Sequence, residues 1–538
     1  MTVADIEKAK SKLHPGFRKN FVAYFAQYSD STTIHGVRYL GQYGRSIIER
    51  FWWFLVIGSS LYLCIKLILA TYDKWITSPV IVSFARSPTP VWQIPFPAVT
   101  VCPETKTLQR VYNFTHEYHR FHENPENMTE EEIEKFNKVS LVCNNRLHTV
   151  GEKIVDDSVF EVFNEVAPPF DDVLWQCKWL NENQTCASLL TQTLTEEGVC
   201  FTFNMLENEA MYTNNVYKSA NLSQFGIQAM EWSLESGYAT YLGTDTYPKR
   251  TIASGQKACF SLLMTLYEPD MDYLCKGAVQ GFKILLHNPA ETPKVTQHYF
   301  RAPLNQEVIV VIKPDMMTTS EGLRSYTPNS RLCFFQDERQ LMYYQMYTQK
   351  NCEVECLTNI TLQRCGCVAF HMPRNQTTKM CGPGNALCMK RAEAEMHTRE
   401  VDLDHANANN IERCNCLPSC TSLTYNAELS QAYFNWPKVF EGFQVNFSEF
   451  PGVAMSRVFF FFKEQQFITS ERNELYGLTD FLSSCGGLLG LFIGFSSLSI
   501  IEIIYFLSLR LMGNIKNYGR HYWSGSTELI NNESFKNK

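Results

Sequence analysis

Residues 482–511 read LSSCGGLLGLFIGFSSLSIIEIIYFLSLRL, an apolar stretch close to the end of the chain. As one straight helix it would be about 45 Å long, more than the roughly 30 Å hydrocarbon core of a bilayer. A second apolar stretch, FWWFLVIGSSLYLCIKLILATY at residues 51–72, is also long enough to cross a membrane. The alternative is a pair of buried core helices, but both stretches exceed the usual length of such helices. The sequence therefore predicts a protein with two membrane spans.

The charges around the two stretches indicate their orientation. The residues at the N-terminus carry charges throughout and no apolar run, so we expect no cleaved signal peptide. Arg45 and Arg50 precede the first stretch, and Arg510, Lys516 and Arg520 follow the second. Because basic residues concentrate on the cytoplasmic side of membrane proteins, we expect both termini in the cytosol and the protein in the plasma membrane. The predicted segments are a cytoplasmic N-terminus (1–50), a first span (51–72), an extracellular domain (73–478), a second span (479–511) and a cytoplasmic C-terminus (512–538).

The distribution of cysteine places the segment between the spans in an oxidising compartment. The chain has 19 cysteines, and all except Cys64 and Cys485 lie between the two apolar stretches. Such a density is typical of an extracellular disulfide framework. Zinc binding is the alternative, but zinc sites usually contain paired C-x-x-C knuckles, and the crowded cysteines from Cys352 to Cys420 do not show that spacing. The sequence therefore favours disulfides and predicts no metal site.

Glycosylation sequons support the extracellular placement of the same segment. Asn-x-Ser/Thr triplets are accepted as glycosylation sites only on chains that enter the secretory pathway. The predicted sites are Asn113, Asn127, Asn183, Asn221, Asn359, Asn375 and Asn446.

A further sequon, Asn532-Glu533-Ser534, lies in the predicted cytoplasmic tail. We expect Asn532 to carry no sugar, because a cytosolic tail never meets the glycosylation machinery. Glycopeptide mass spectrometry of the purified protein checks this expectation, with the sequons between the spans as positive controls. A glycan on Asn532 contradicts the topology.

The segment between the spans is expected to be mixed α and β. Residues 79–102 are rich in β-branched and aromatic residues with prolines between them, which is typical of strands. Three further strands are predicted at CFTFN, GFKILLHN and EVIVVIKP, and a helix at EEEIEKFNKV.

Three histidines form the one candidate titratable cluster that the sequence suggests. His116, His119 and His122 recur every three residues and are flanked by Glu117 and Glu123. On a helix they would lie along one face, where they could titrate near neutral pH or hold zinc. A solvated helix face is the alternative interpretation.

Seven short motifs follow one another along the chain. They are His35-Gly36, FPAVTVCP (96–103), GVCFTFN (198–204), GFKILLHNP (281–289), CGCVAFHMP (365–373), CNCLPSC (414–420) and GGLLGLFIGFSSLSIIE (486–502). In this order they resemble the motifs of the degenerin/epithelial sodium channel family, which includes the acid-sensing channels. Within this family the chain looks most like the insect pickpocket branch.

The resemblance implies an α+β membrane protein with a disulfide-rich, hand-like extracellular domain. It implies a homotrimer or heterotrimer with a sodium-selective, amiloride-sensitive pore, and no enzymatic activity. The implied partners are the lipid bilayer, identical or related subunits and an extracellular ligand or tether of unknown kind, with no nucleic acid. The permeant Na⁺ takes the place of a cofactor.

The resemblance also implies a set of disulfide pairs. The implied pairs are Cys102–Cys200, Cys177–Cys186, Cys333–Cys420, Cys352–Cys416, Cys356–Cys414, Cys365–Cys388 and Cys367–Cys381. Cys143, Cys259 and Cys275 fall outside this set. Their pairing stays open: a local bridge between Cys259 and Cys275 would leave Cys143 unpaired or bonded to a neighbouring chain.

The second span contains features that a simple membrane anchor does not need. Gly486, Gly490 and Gly494 recur every four residues, with Gly487 beside them, so helices can approach closely along this face. By resemblance, Gly494-Phe495-Ser496 is the selectivity filter, where the helix is interrupted and backbone carbonyls replace part of the hydration shell of an ion. Phe495 is bulkier than the residue that relatives carry there. A glycine-rich anchor without conduction is the alternative.

Polar residues on both sides of this triplet are the other candidate pore residues. Glu502 lies in apolar sequence, where a charge is costly and usually faces a cavity. Three copies would form a ring that attracts cations; the alternative is an ion pair with a cation on the cytosolic side. The resemblance implies a gating role for His35-Gly36 in a re-entrant segment. Ser484 occupies a place that is acidic in the acid-sensing relatives.

By resemblance, Ser483 lies at the position where family members need a small side chain to close the pore and near which amiloride binds. We expect a bulky substitution such as Ser483→Trp to hold the channel open. Whole-cell recording of the constitutive sodium current checks this, with Ser483→Ala as the small-residue control. A conducting channel that Ser483→Trp leaves unchanged contradicts the role of this position.

Other classes of protein share only part of this pattern. An ATP-gated channel has two spans, but its lysine-rich nucleotide site has no counterpart here. A two-span scavenger receptor or adhesion protein would not need Gly494-Phe495-Ser496 or Glu502. No constellation of nucleophile and base suggests an enzyme. Within the family, the alternative is an auxiliary subunit that conducts only in heteromers.

Overall fold

A computed structural model of the chain describes residues 15–77, 80–143, 151–217, 232–239, 243, 245–401, 414–444, 451–475 and 477–534. The chain divides into two units. One unit contains the residues up to Ile81 and those from Glu474 onward, and the other contains Val82–Asn473.

The first unit is helical and contains both apolar stretches. The described helices are Phe17–Ser31, Val37–Gly41, Ile47–Thr77, Leu478–Ile493, Ser497–Tyr505, Leu511–Tyr518 and Thr527–Ser534, with a π-helical turn at Phe506–Arg510. By length and composition, Ile47–Thr77 and the continuous helical run Ser497–Tyr518 can cross a membrane, and Leu478–Ile493 is a shorter apolar helix. The helix Ile47–Thr77 thus extends beyond the predicted span of 51–72 at both ends.

The first and second apolar segments pack against each other near one end of the unit. Trp75 stacks on Phe481 with ring centroids 4.9 Å apart, and Tyr72 also contacts Phe481. Along most of its length, however, Ile47–Thr77 exposes large apolar side chains such as Phe54 and Leu69. A helix that is apolar around its whole circumference and exposed is suited to lipid.

The second unit is the mixed α and β domain that the sequence predicts. Its described helices are Phe114–Glu123, Glu130–Ser140, Val159–Val166, Phe170–Val173, Cys186–Leu189, Asn208–Met211, Tyr273–Lys276, Pro328–Arg331, Gln349–Cys365, Ala386–Val401 and Trp436–Gly442. The predicted helix EEEIEKFNKV is confirmed, and a capping box between Thr129 and Glu132 fixes its start.

The strands, numbered in chain order, include all those predicted from the sequence. They are β1 Val80–Phe84, β2 Thr89–Pro90, β3 Ala98–Pro103, β4 Ile154–Val155, β5 Leu174–Trp179, β6 Glu182–Gln184, β7 Leu190–Thr195, β8 Gly198–Phe203, β9 Trp232–Ser233, β10 Gly237–Tyr238, β11 Phe260–Tyr267, β12 Phe282–His287, β13 Phe300–Ala302, β14 Gln306–Thr319, β15 Met380–Cys381, β16 Ser422–Tyr433, β17 Val453–Phe462, β18 Gln466–Phe467 and β19 Ser470–Glu474.

Two sheets carry the core of this domain. The larger sheet has the order β1-β19-β14-β17-β11-β5-β6, with β16 also paired to β14, and the smaller has the order β13-β12-β3-β8-β7. The main hydrophobic cluster draws side chains from both sheets. Phe203 of β8 stacks on Phe260 of β11 with ring centroids 3.9 Å apart, and Phe96 packs edge-on against Phe203. These contacts bury the alternating apolar residues of the strands.

A buried cluster of charges lies beside the smaller sheet. The carboxylate of Glu197 is 3.0 Å from Lys106 Nζ, 2.9 Å from Lys276 Nζ and 2.7 Å from Lys283 Nζ. Glu197 is only 2% exposed. Burial by itself would raise the pKa of Glu197, but Lys106, Lys276 and Lys283 outweigh it and hold the pKa well below its usual range. Burial, although opposed by Glu197, lowers the pKa of Lys106 to about 8.

All seven disulfide pairs implied by the family resemblance are present. Five of these bridges lie within the segment from Cys333 to Cys420. They connect the helices Gln349–Cys365 and Ala386–Val401 to each other and to the neighbouring segments. In the chain-entropy model a bridge contributes on the order of 2–4 kcal/mol by restricting the unfolded chain.

The pairing that the sequence left open is settled: Cys275 pairs with Cys143 rather than with Cys259, and Cys259 is a buried free thiol. The physical reason is the position of the short helix Tyr273–Lys276. The Asp272 carboxylate accepts hydrogen bonds from Leu274 N and Cys275 N and also from the Thr115 hydroxyl, 2.6 Å away. These bonds hold Cys275 against the helix Phe114–Glu123, in the cluster that contains Cys143.

Among the described sequons, Asn127, Asn183 and Asn359 are exposed, and Asn113 and Asn375 are half-buried. Asn113 also caps a helix, since its side chain accepts from His116 N at 2.9 Å. Asn221 and Asn446 lie outside the described residues. Glycosylation of these sites stays a prediction.

Candidate ion pore

The second apolar stretch is interrupted at the triplet Gly494-Phe495-Ser496. The helix Leu478–Ile493 ends as Gly494 adopts a left-handed conformation, with φ of 67°. A new helix starts at Ser497, and Ser496 caps it: Ser496 N donates to Ser499 Oγ at 3.1 Å, and Ser499 N donates to Ser496 Oγ at 3.4 Å. Glycine stops the first helix at low cost, and serine starts the second. The predicted interruption at this triplet is confirmed.

The His-Gly pair near the N-terminus lies directly against this interruption. His35 N donates to the carbonyl of Ile493 at 2.9 Å, so one carbonyl freed by the helix break is satisfied by the chain itself. The imidazole of His35 packs on Gly494, and a Cβ added to Gly494 would lie 2.6 Å from His35 Nδ1. Gly36 is also left-handed, with φ of 84°, and a Cβ there would lie 3.0 Å from Ile57 Cδ1. A side chain at Gly494 would therefore clash with His35, and one at Gly36 would be strained by the left-handed backbone and would press on Ile57.

Glu502 anchors the segment that carries the His-Gly pair. Its carboxylate accepts hydrogen bonds from Thr33 N and Thr33 Oγ1, both at 3.1 Å. The Thr33 hydroxyl also lies 2.9 Å from Ser499 Oγ, and Ser499 is fully buried. The sequence suggested that Glu502 forms a ring of carboxylates or pairs with a cation on the cytosolic side, and neither interpretation includes this hydrogen bond to Thr33. Glu502 therefore holds the N-terminal segment in place, whether or not it also attracts ions.

Hydrogen bonds also join the helix Phe17–Ser31 to the residues that follow the second apolar stretch. The Asn20 side chain donates to the carbonyl of His521 at 2.9 Å and accepts from the Ser524 hydroxyl at 2.8 Å. Tyr24 donates to the carbonyl of Phe506. Asn20 and Ser524 are almost completely buried, so these bonds are protected from water.

The remaining candidate pore residues lie on the helix Leu478–Ile493. A Cβ added to Gly486, Gly487 or Gly490 would meet nothing within 4 Å. The close approach that this glycine face predicts is therefore not made within a single described chain. Ser483 is exposed and Ser484 half-buried. Their roles in the gate stay predictions.

The three histidines lie on the helix Phe114–Glu123 as expected. His122 Nδ1 contacts the carbonyl of Tyr118 at 2.9 Å, and His119 Nδ1 lies 3.6 Å from Glu123. Among the described residues there is no group of three or more His, Cys, Asp or Glu side chains placed to hold a metal ion. The zinc interpretation therefore has no geometric support among these residues, and a role for the three histidines in titration stays a prediction.

Sequence reasoning missed Thr33, Ser499, Asn20 and Ser524. Thr33 and Glu502 are 469 positions apart, so no local pattern connects them. One feature of the sequence could have drawn attention to Thr33: it lies two residues before the His-Gly pair to which the family resemblance assigns a gating role.

The chain is similar to known proteins over most of its length. The family model described as "Amiloride-sensitive sodium channel" matches residues 28–506. Pickpocket protein 28 of Drosophila melanogaster is 30% identical over 91% of this chain and 79% of its own length. Sodium channel protein Nach of the same organism is 22% identical over 92% and 90%, and Acid-sensing ion channel 1C of Danio rerio is 22% identical over 94% and 87%.

The matched region begins within the helix Phe17–Ser31 and ends at Phe506, just beyond the interruption at Gly494-Phe495-Ser496. It includes His35-Gly36, the extracellular disulfides and Gly494-Phe495-Ser496. Proteins of this kind are ion channels, which excludes the enzyme and the ATP-gated channel as alternatives. The chain belongs to the amiloride-sensitive sodium channel family, in which its relatives include the insect pickpocket proteins.

Proposed function

We propose that this chain is a subunit of a trimeric, sodium-selective, amiloride-sensitive channel in the plasma membrane, with both termini in the cytosol. An extracellular stimulus, whether chemical, mechanical or osmotic, opens it and lets Na⁺ flow down its gradient. The observation that carries the proposal is the helix break at Gly494-Phe495-Ser496, where His35 N donates a hydrogen bond to the last carbonyl before the break. Non-helical backbone at membrane depth is tolerated where it is buried in protein or lines a water-filled path.

The exposed glycine face of Leu478–Ile493 supports assembly with further subunits. Gly486, Gly487 and Gly490 meet nothing within 4 Å of an added Cβ, so this face is open for a neighbouring helix to approach closely. Three such helices would place three filter triplets and three Glu502 carboxylates around one axis. The Thr33–Glu502 bond would then fix the position of each N-terminal segment in the pore.

The experiment is expression of the full chain alone, with recording of current in sodium, in potassium and with amiloride. A current that reverses near the sodium potential and is blocked by amiloride is the expected result. Substitution of sodium by a large organic cation should remove the inward current. A sodium current unaltered by substitutions at Gly494 and Ser496 contradicts the filter assignment.

An auxiliary subunit is the second candidate within the family. Its distinguishing result is surface expression without current from the chain alone, and a changed current when a second family member is present. Surface biotinylation separates this outcome from a failure to fold.

A further inference from the structure

The second apolar segment contains one irregular turn beyond the filter triplet. A π-helical turn at Phe506–Arg510 separates the helices Ser497–Tyr505 and Leu511–Tyr518. Such turns are rare, hold one residue more than an α-helical turn and are frequent at functional sites. The Ser508 hydroxyl donates to the carbonyl of Ile504 at 2.6 Å, the group that Ser508 N would bond in an α-helix. Side-chain bonds thus replace part of the regular helix ladder at this turn.

The helix Phe17–Ser31 holds the first residue of the π turn. The Tyr24 hydroxyl donates a hydrogen bond to the carbonyl of Phe506. The phenyl ring of Phe506 lies edge-on to two tyrosine rings, with ring centroids 6.0 Å from Tyr24 and 5.3 Å from Tyr28. Edge-on aromatic pairs are favourable and have a defined geometry. The backbone and the side chain of Phe506 are therefore both fixed by this helix.

The helices on the two sides of the π turn are attached to the same stretch near the N-terminus. On one side, the Glu502 carboxylate accepts hydrogen bonds from Thr33. On the other, Asn514 donates to the carbonyl of Ser524 at 3.0 Å, and the Ser524 hydroxyl donates to Asn20 at 2.8 Å. The distance and the rotation between the two helices are thus set by contacts outside them. The π turn accommodates the one residue that a regular α-helix between these anchors would not hold.

Loss of the π turn would change the rotation of one helix relative to the other. In an α-helix each residue turns the chain by about 100° and advances it by about 1.5 Å. If the turn relaxed to α-helix, Leu511–Tyr518 would be displaced by one residue relative to Glu502. The bond from Asn514 to Ser524 and the bond from Thr33 to Glu502 could not then both be kept. The turn therefore links the position of Glu502 to the packing of the last helices.

We propose that Tyr24 is a positioning residue of the channel, whose hydroxyl stabilises the π turn and thereby fixes the rotation of Glu502 relative to the helix Leu511–Tyr518. Relaxation of the turn to α-helix is a second state of this segment, in which one of the two anchors is released. The effect on ion flow rests on the proposed function, in which Glu502 of each subunit faces one axis. The helix register itself does not depend on conduction.

The first test compares Tyr24→Phe with Tyr28→Phe in the full-length protein by single-channel recording. Tyr24→Phe removes the hydroxyl that bonds to Phe506, whereas the Tyr28 hydroxyl accepts from Thr32 Oγ1 at 3.3 Å and makes no bond to the second apolar segment among the described residues. One hydrogen bond shifts an equilibrium by about two- to tenfold. We expect the ratio of open to closed time to change by this factor in Tyr24→Phe and by less than about twofold in Tyr28→Phe.

Deletion of Leu507 tests the register directly. It removes one residue from the π turn, so the chain can run from Ser497 to Tyr518 as one continuous α-helix with both anchors kept. Cryo-electron microscopy of this variant in lipid nanodiscs should show that helix, with Asn514 still bonded to Ser524, whether or not the channel conducts. In this background Tyr24→Phe should change the open-to-closed ratio by less than about twofold, because no π turn remains for the hydroxyl to hold.

Three results would overturn the proposal. They are equal effects of Tyr24→Phe and Tyr28→Phe on the open-to-closed ratio, an undiminished effect of Tyr24→Phe after deletion of Leu507, and a deletion variant in which the helix is broken or Asn514 has left Ser524. Lower surface abundance of Tyr24→Phe with an unchanged ratio also contradicts it, since that result shows a role in folding alone. If the wild type passes no current, the proposed channel fails, whereas the structure of the deletion variant still decides the register.

Discussion

Replacing Gly494 by alanine is expected to abolish the sodium current while leaving the protein at the cell surface. Gly494 is left-handed, with φ of 67°, a conformation that costs an alanine on the order of 1–2 kcal/mol. The added Cβ would also lie 2.6 Å from His35 Nδ1 and 2.8 Å from two carbons of the same ring. The helix break and the His35 segment must therefore move apart, which disturbs the proposed filter. Whole-cell recording with surface biotinylation measures both quantities.

The matched control is Gly58→Ala, in the middle of the helix Ile47–Thr77. A Cβ at Gly58 meets nothing within 4 Å, and the residue is helical, so alanine is expected to be tolerated. Normal current in Gly58→Ala and none in Gly494→Ala is the expected pattern. A Gly494→Ala channel with wild-type amplitude and sodium selectivity would show that the packing of His35 on Gly494 is irrelevant to conduction.

Replacing Glu197 by glutamine is expected to destabilise the extracellular domain by about 3–5 kcal/mol. The substitution leaves Lys106, Lys276 and Lys283 around a neutral amide in a buried site, and the nearby Glu104 carboxylate, 3.9 Å from Lys283 Nζ, is left to face all three. Breaking a buried ion pair by removing one partner is strongly destabilising, because the remaining charge has neither water nor a counterion. Thermal unfolding of the purified protein and its surface abundance check this. Glu197 is remote in sequence from the pore motifs, so a folding defect is the expected cause of any lost current.

The adjacent residue provides the control. Glu196 accepts hydrogen bonds from Thr296 N at 2.8 Å and from Thr296 Oγ1 at 3.0 Å, and both can be kept by a glutamine. Glu196→Gln should therefore cost about 1 kcal/mol or less. Equal destabilisation by the two variants would mean that the lysine cluster does not depend on the charge of Glu197.

The same cluster predicts how stability depends on pH. The folded-state pKa of Glu197 lies below its ordinary value of 4.5, owing to the three lysines. The stabilisation from its charge is therefore fully present above the ordinary pKa and declines as the pH falls below it. Comparing wild type and Glu197→Gln by thermal unfolding across this range should show the difference between them shrinking at low pH. A difference that grows on acidification contradicts the assignment.

The sequence alone determined the two spans and the extracellular disulfide domain, which depend on the apolar runs and on the cysteine density. The place of the helix break at Gly494-Phe495-Ser496 came from the family resemblance. The seven disulfide pairs came from resemblance rather than from the spacing of cysteines, because spacing leaves many connectivities open. The same limit left the pairing of Cys143, Cys259 and Cys275 open, and the structure bonds Cys275 to Cys143.

Only the tertiary structure decided which distant groups meet. The hydrogen bonds from His35 to Ile493 and from Thr33 to Glu502 join the two ends of the chain. The lysines around Glu197 come from three separate segments, and Asp272 brings Cys275 to Cys143 through a bond to Thr115. Periodicity and propensity act over a few residues, whereas these contacts depend on how whole elements pack. The family resemblance was therefore enough to predict a break in the apolar stretch, but the hydrogen bond from His35 to this break and the anchoring role of Glu502 could not be predicted.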